Sequence, residues 1–334
     1  MEEGMGEGLE IEEVQDQKRL EELGPEWDAL FGSCPSATPF QSPQWLLPWM
    51  RRLGNGRPFA LALRKNGVLS ALLPLMLRGE EAAFIGTGVS DYLDMLALPE
   101  AGAEAASMVL EYLLRRKESW RKCALYELRA ESPFLATAPP SGLKVSRSAG
   151  EPCLIVSLPD SADKLGRRGP RSGKNGSKRT RRMIEESGEL TVETATGSSL
   201  SEFLDSFFRL HEIRWRALGG TGVLNGPEIK SFHGEAASGL LEKGILRLYR
   251  MRYRGADFAA LYAFIHRGRM YAYLNGFDPA FLKFSPGSHI LRRAVEDAIT
   301  GGVRELDFLR GGENYKYAWG PEERSNSTLV IEHG

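Results

Sequence analysis

The chain has 334 residues, of which 42% are hydrophobic, and its formal net charge at pH 7 is −1. This length favours two domains or one large domain, and the apolar fraction is sufficient for folded cores. The near-zero net charge excludes a global electrostatic field that would draw the chain to nucleic acid or lipid. No stretch reaches the roughly 20 apolar residues of a membrane-spanning helix.

The chain start, MEEGMGEGLEIEE, is acidic and lacks the apolar core of a signal peptide. Cys34, Cys123 and Cys153 form an odd, scattered set without zinc-site spacing, which fits a reducing compartment and argues against a disulfide framework. The five histidines are also dispersed, so we expect no metal site. Together these features indicate a cytoplasmic protein.

The first half of the chain shows short strand patterns around one long helix. In chain order it is predicted to form a strand at 9–14, a helix at 23–31, a helix from Pro43, strands at 57–63, 68–77, 82–85 and 92–98, a helix at 101–117 and a strand at 122–129. Asn66-Gly67 is typical of a hairpin turn.

The second half repeats this order of strands, helix and strand. After a strand at 151–158, it is predicted to form helices at 203–218 and 229–243, strands at 245–253, 257–266 and 269–277, a helix from Pro286 and a strand at 305–309. On the helix at 203–218, His211 is predicted to face outward. The repeated order indicates an internal duplication of one α/β unit.

A basic segment at residues 164–182 lies between the halves and contains no acidic residue. Three interpretations remain open: a solvated linker with a helix at 177–187, an anion-binding surface, or a nucleic-acid contact. The segment lacks the interleaved aromatic residues that bind single strands by stacking.

The most informative stretch runs from Arg269 to Trp319. After the strand at 269–277, Ser285-Pro286-Gly287 opens a helix, because Ser suits the cap and Pro the first helical position. Gly301-Gly302 ends that helix. Free N–H groups at a helix start, together with the helix dipole, favour a bound anion, so this order predicts a phosphate site.

Two motifs of this stretch carry a family resemblance. SPG at 285–287, and DFLRGGENYK at 307–316 followed by Trp319, resemble the CelD/BioF2-like branch of the GNAT acyltransferases, which is related to the Fem peptidyltransferases. PFQSPQW at 39–45 resembles the start of these proteins more loosely. The resemblance implies an α/β fold with mixed α+β sheets, in which two GNAT-like domains follow in tandem at 1–150 and 151–334. The second would carry the acyl-donor site.

Acyl transfer to an amine needs a base, donors for the oxyanion and an acid for the leaving thiolate. Glu313 is the predicted base, with Asp307 as second choice, and Tyr315 is the predicted acid. Oxyanion donors are expected at the splayed strand end 273–277, where Asn275-Gly276 predicts a bulge or a close backbone approach.

The remaining site predictions concern binding. The residues predicted to bind the acyl donor are Asn275, Phe277, Ser285, Pro286, Gly287, Ser288 and His289. Arg310 and Lys316 are predicted to hold a phosphate or an acceptor carboxylate, and Trp319 completes the substrate set. In the alternative interpretation, Asp307 and Arg310 form an internal ion pair, and Glu313 pairs with Arg310 or Lys316 and pins the turn.

The resemblance implies a cytosolic N-acyltransferase that uses acyl-CoA, with acetyl-CoA as the default. A longer acyl-CoA or an acyl carrier protein is the alternative donor, and the acceptor is an amine on a sugar or cell-envelope precursor. A Fem-like transferase using charged tRNA is the second hypothesis, and only under it is nucleic acid a partner. A non-catalytic binding protein is the third. The motifs GxSxG, HExxH, CxxC and GxxxxGK[ST] do not occur.

Overall fold

The computed structural model describes residues 8–166, 168, 169 and 190–334. It divides into two compact units, the first ending at Glu151 but also including Ser325–Gly334, and the second spanning Pro152–Arg324. The predicted division at 150/151 lies one residue before the end of the first stretch of this unit, and residues 325–334 were predicted with the second domain. Apart from residues 164–166, 168 and 169, the basic segment lies outside the described residues, as does the predicted helix at 177–187.

The first unit follows the predicted order closely. Its elements are β1 (Leu9–Val14), α1 (Gln17–Glu22), α2 (Gly24–Ser33), α3 (Pro43–Arg52), β2 (Arg57–Pro58), β3 (Ala60–Lys65), β4 (Val68–Leu73), β5 (Leu75–Arg78), β6 (Glu81–Phe84), β7 (Leu96–Ala97), α4 (Gly102–Arg115), β8 (Lys122–Leu128) and α5 (Pro133–Ala136). The long strand β9 (Leu143–Ser157) leads into the second unit, and β15 (Glu322–His333) returns from it. The strand predicted at 92–98 is mostly loop.

Hairpins build the sheets of the first unit. Strands β1, β3, β4 and β7 form one antiparallel sheet, and Asn66 and Gly67 join β3 to β4 with φ values of 52° and 79°. Positive φ at both turn residues matches the twist of the strands, which is why Asn-Gly suits this position. In a second set of strands, β2 pairs with β5, β5 with β6 and β8 with β15, while β6 runs parallel to β8.

The loop after β6 bonds to the opened edge of β8. The parallel pairing ends at Ala83 and Ala124, and Glu127 then adopts a left-handed φ of 60°. The backbone N–H of Leu93 donates to the carbonyl of Glu127 at 3.2 Å. Asn326 donates to the Glu127 carboxylate at 2.9 Å. In the first unit, the loop after β6 and the side chain of Asn326 therefore bond to β8 just beyond its parallel pairing with β6.

This loop carries a buried carboxyl group, Asp94. Its Oδ1 accepts hydrogen bonds from the Ser132 hydroxyl at 3.0 Å and the Met95 N–H at 2.8 Å. Burial raises the pKa of Asp94 to about 7, against the lowering effects of these bonds and of Arg129, while Glu131 adds to the rise. The group is therefore largely protonated in the folded protein under mildly acidic conditions.

Asp94→Asn is expected to remove a pH dependence from the free energy of unfolding. Because the folded pKa is raised, the stability contributed by Asp94 is complete below about pH 4 and is lost as the pH rises to about 7, by roughly 4 kcal/mol. Urea unfolding at about pH 5 and about pH 8 measures the difference. Equal pH dependence in the wild type and in D94N would show that Asp94 is ionised in the folded state.

The second unit contains a larger helical layer. Its elements are β10 (Leu190–Thr194), α6 (Leu200–Ala217), α7 (Pro227–Glu242), β11 (Leu246–Tyr253), β12 (Ala256–His266), β13 (Arg269–Phe277), α8 (Pro286–Thr300), β14 (Glu305–Arg310) and α9 (Asn314–Tyr317). A 3₁₀ segment, Pro279–Phe284, precedes α8. Strands β10 and β15, the short helix α9 and the 3₁₀ segment were absent from the predicted elements of 190–334.

The sheet of the second unit is covered on both faces. Strands β10 to β13 are antiparallel neighbours, β14 runs parallel to β13, and β9 pairs with β14. The side chains of Ala259 and Leu261 share a core cluster with the apolar face of α8. On the other face of β12, Tyr262 contacts Phe207 of α6 and His233 of α7. Alternation along the strand therefore directs Leu261 and Tyr262 to opposite faces of the sheet.

The two units share one local feature. In the second unit, three residues of β13 (269–271) pair in parallel with three of β14 (305–307), and Leu309 then adopts φ 59°. In the first unit, residues 81–83 of β6 pair with 122–124 of β8, and Glu127 adopts φ 60°. In both units a left-handed residue follows the end of the parallel pairing, two residues on in β14 and three residues on in β8, and this similarity supports the inferred duplication.

Candidate functional site

The second unit contains the predicted splayed strand end. Strand β13 stays paired with β12 as far as Phe277, but its pairing with β14 ends at Tyr271 and Asp307. Beyond this point β13 and β14 diverge, and backbone groups of residues 272–277 line the edge facing the gap. Preorganised N–H groups at such an edge can stabilise an oxyanion.

Asp307 sets the bend that opens the gap. Its Oδ1 accepts the backbone N–H of Leu309 at 2.8 Å, and the pairing of β14 with β9 shifts register between Asp307 and Arg310. Asp307 is fully buried, and its Oδ2 lies 4.0 Å from Nη1 of Arg269. These contacts favour a structural role over the predicted role of alternative base.

The predicted irregularity of β13 occurs at a different residue. The register shift lies between Tyr262 and Ala263 of β12 and leaves Tyr273 as the extra residue, so the bulge is not at Asn275-Gly276. The close backbone approach is at Gly276, where a Cβ atom would lie 2.4 Å from the backbone nitrogen of His211. Only glycine allows α6 to approach β13 this closely.

Arg214 of α6 organises the end of β13. Its Nη1 donates to the side-chain oxygen of Asn275 and to the carbonyl of that residue at 3.3 Å. Its guanidinium lies 5.0 Å from the ring centroid of Phe277. Burial lowers the pKa of Arg214, while the nearby Tyr315 and Glu313 oppose that shift. Two predicted donor-binding residues, Asn275 and Phe277, are thus held next to the predicted base and acid.

The turn after β14 is pinned by an ion pair. Glu313 Oε2 lies 2.7 Å from Nζ of Lys316, as the alternative interpretation described. Nζ also donates to the carbonyls of Arg310 at 2.7 Å and Gly311 at 3.1 Å. The Lys316 side chain is 4% exposed and Glu313 is 58% exposed. Lys316 therefore uses all three ammonium hydrogens inside the turn, which favours a structural role over the predicted substrate contact.

The other predicted residues of this turn differ in their environment. Burial and the neighbouring Glu313 raise the pKa of Tyr315 to about 12, so its hydroxyl is protonated at neutral pH and can donate. Trp319, predicted to contact substrate, is buried in the core, 6.0 Å from Phe308 between ring centroids. Gly169 packs against the Trp319 indole. Arg310 pairs with Cys153 in the sheet.

The first turn of α8 is bonded differently from the prediction. Ser285 occupies the cap position with φ 50°, and its side chain makes no capping hydrogen bond. Its carbonyl instead accepts the N–H groups of Ser288 and His289, both at 3.1 Å. Pro286 has no N–H, so Gly287 supplies the one N–H of this first turn that has no acceptor among the described residues.

His211 and Arg214 are site residues that the sequence interpretation missed. His211 was predicted to face outward, but it is 1% exposed, and burial followed by the charge of Arg214 lowers its pKa to about 4. His211 lies four residues after the buried Phe207, a spacing that returns to the same helix face. That spacing was the available signal, and the polar neighbours in the sequence obscured it.

Among the residues that the structure describes, no group of three or more His, Cys, Asp or Glu side chains is arranged to hold a metal ion. Within the same residues, every helix is too short or too polar to cross a bilayer.

Comparisons with known proteins agree with this geometry. Residues 171–317 match the acetyltransferase (GNAT) domain family, and no curated protein matches the sequence. The structure of FemX superposes with a TM-score of 0.64 at 12% identity, covering 96% of each chain. L-PGS from Bacillus licheniformis gives 0.57 at 13%, covering 97% of this chain and 94% of that one. The C-terminal domain of a putative lysylphosphatidylglycerol synthetase from Agrobacterium fabrum gives 0.56 at 11%, covering 93% and 92%.

Proposed function

We propose that this protein is a Fem-like tandem-GNAT protein, with the acetyltransferase (GNAT) match in its second half, and that it moves an acyl group from acyl-CoA to an amine. The observation that carries the proposal is the divergence of β13 from β14 after Tyr271, beside Glu313 and Tyr315. A gap lined by backbone donors, next to a carboxylate and a protonated phenol, is suited to acyl transfer.

In the proposed reaction the amine attacks the thioester carbonyl, a C–N bond forms and the C–S bond breaks. Backbone N–H groups at 273–277 would hold the oxyanion. Glu313 would take the proton of the amine, and Tyr315 would protonate the thiolate. The acceptor class, an amine on a sugar or cell-envelope precursor, follows from the family resemblance. Acetyl-CoA is the default donor.

The direct test measures thiol release from acetyl-CoA and longer acyl-CoA esters in the presence of primary amines. Amine-dependent release is the expected result. Donor binding without release, across amino sugars and amino acids, would instead support the non-catalytic hypothesis. If neither acyl-CoA binding nor thiol release occurs, the proposal of a CoA-dependent enzyme is wrong.

Gly287→Asp is expected to abolish the rise in melting temperature that CoA produces. The carboxylate would stand beside the open N–H of α8 and repel the CoA pyrophosphate. Gly287→Ala is the matched control, because a Cβ atom at 287 meets only Phe277 at 3.5 Å, an ordinary contact. A CoA-induced shift that survives in G287D would move the donor site away from this helix start.

The second candidate is aminoacyl transfer from charged tRNA. The similarity to FemX over 96% of both chains favours it. The basic segment at 164–182 would supply the contact with the nucleic acid. A gel-shift assay with bulk tRNA at physiological salt separates the two candidates. Binding that weakens steeply with salt would support the tRNA-dependent reaction, and no detectable binding would remove it.

A further inference from the structure

His211 contains a buried polar atom without a partner. The residue is 1% exposed, and its Nε2 atom has no hydrogen-bond partner among the described residues. Leaving such an atom unsatisfied costs about as much as a hydrogen bond contributes, and native proteins contain few of them. A ligand that donates a hydrogen bond to Nε2 would therefore gain binding free energy at this position.

The position of His211 connects this atom to the splayed strand. The backbone of His211 lies against Gly276, inside the part of β13 that has left β14. One turn further along α6, Arg214 binds Asn275 and stacks on Phe277. His211 and the proposed oxyanion donors thus belong to the same end of the strand.

The imidazole has apolar neighbours and no charge at neutral pH. Ring centroids of Phe207 and Trp215 lie 6.1 and 6.0 Å from that of His211. Burial and the nearby Arg214 lower the pKa of His211 to about 4, so the ring stays neutral. A neutral imidazole among aromatic rings suits a neutral hydrogen-bond donor on an apolar body. The positive charge of Arg214 also disfavours an ammonium ion there.

The loop between α6 and α7, residues 218–226, covers the ring. Gly222 has φ +72°, and a Cβ atom there would lie 2.6 Å from Cε1 of His211 and 2.8 Å from Cδ1 of Trp215. The loop approaches this closely only because residue 222 is glycine. It carries two exposed apolar side chains, Leu218 and Val223. Gly222 of this loop therefore lies against the Cε1 edge of the ring, beside Nε2.

We propose that the amine acceptor binds under the 218–226 loop, where its neutral nitrogen donates a hydrogen bond to Nε2 of His211. This bond would fix the nitrogen lone pair toward the thioester carbonyl at the end of β13. The inference rests on the proposed acyl transfer. It departs from the sugar or cell-envelope acceptor that the family resemblance suggests and names instead a primary amine on an apolar or aromatic body. It adds no proton-transfer step to that reaction.

The first test needs no acceptor. His211→Phe replaces the ring by an apolar ring of similar shape, so it removes an unsatisfied atom and loses no hydrogen bond. The melting temperature of the free protein should rise by about 2–4 °C. His211→Leu, which also lacks the nitrogen but is smaller than Phe, controls for crowding against the loop. A fall in both variants would show that Nε2 already has a partner, such as a buried water, and would overturn the inference.

The second test follows the Nε2 resonance of His211 by NMR in the full chain labelled with ¹⁵N-histidine, assigned by its loss in H211F. At about pH 10, where a primary amine is substantially neutral, benzylamine should shift this resonance. N,N-dimethylbenzylamine, whose neutral nitrogen has no N–H, should not. Gly222→Ala should abolish the shift by blocking loop closure. Gly219→Ala is its control, because residue 219 has φ +81° but meets nothing within 4 Å.

Equal shifts with both ligands, or none with benzylamine, would overturn the inference. CoA-dependent stabilisation of the wild type is measured on the same samples. If that stabilisation is absent while benzylamine still shifts Nε2, the proposed donor has failed and the acceptor site stands. If CoA stabilises the protein but benzylamine does not shift the Nε2 resonance, only the proposed acceptor site is wrong.

Discussion

Glu313→Gln is expected to lower the turnover of acyl transfer by ~10²-fold or more, the usual scale for loss of a general base. Gln has the shape of Glu but cannot take the proton of the amine. Donor affinity should hold, because the CoA contacts are proposed at α8. The measurement is thiol release with saturating acyl-CoA and an amine that supports turnover.

The ion pair with Lys316 defines the competing outcome. Glu313 lies 2.7 Å from the buried Nζ, so its charge also stabilises the turn. If that is its whole role, E313Q will lower the melting temperature and donor affinity together and leave turnover per bound donor nearly unchanged. Tyr315→Phe is the companion variant. It should cost less than E313Q, because a CoA thiol is acidic enough to leave as a thiolate near neutral pH.

Gly276→Ala is expected to destabilise the second unit and to abolish activity. The added Cβ would lie 2.4 Å from the nitrogen and 2.8 Å from the Cα of His211, both backbone atoms that cannot rotate away. Helix α6 must then move off β13, which costs about 1–3 kcal/mol by overpacking. The shift would also separate Arg214 from Asn275. Urea unfolding and thiol release on the same preparation measure the two effects.

Gly234→Ala is the matched control for this substitution. Residue 234 lies within α7, and a Cβ atom there meets nothing within 4 Å. Alanine should raise helix stability by about 1 kcal/mol. If G276A proves as harmless as G234A, then α6 does not touch β13 as described, and His211 does not lie beside the end of that strand.

Local signals made much of the second unit predictable. Strand β13 was predicted with its observed bounds, because an aromatic and apolar run lies between clear turn residues. Helix α8 was predicted from its apolar periodicity, and Gly302, with φ 89°, follows its end as expected. By contrast, β15 was missed because its first residues, EERS, are polar and exposed, so no alternation is visible.

The candidate site was predictable as a region and not as a set of contacts. The sequence places Glu313 and Tyr315 after a strand, and the structure brings both near Arg214 of a helix about 100 residues earlier. The three acceptors of Lys316 come together only when the turn folds, so its burial has no sequence signature. The sequence predicts that the side chain of Ser285 caps the helix. In the structure Ser285 has a left-handed backbone, and its carbonyl accepts N–H groups of the first turn while its side chain makes no capping hydrogen bond.

The return of β15 to the first unit has a consequence for synthesis on the ribosome. Leu329 pairs with Leu125 of β8, so this edge of β8 stays unpaired until β15 emerges. At the usual pace of translation, about 200 residues of delay correspond to roughly 10–40 s. Residues 152–324 are complete before then, so the later-made unit can finish folding first. During that interval the nascent first unit exposes a strand edge, the kind of surface that chaperones shield from aggregation.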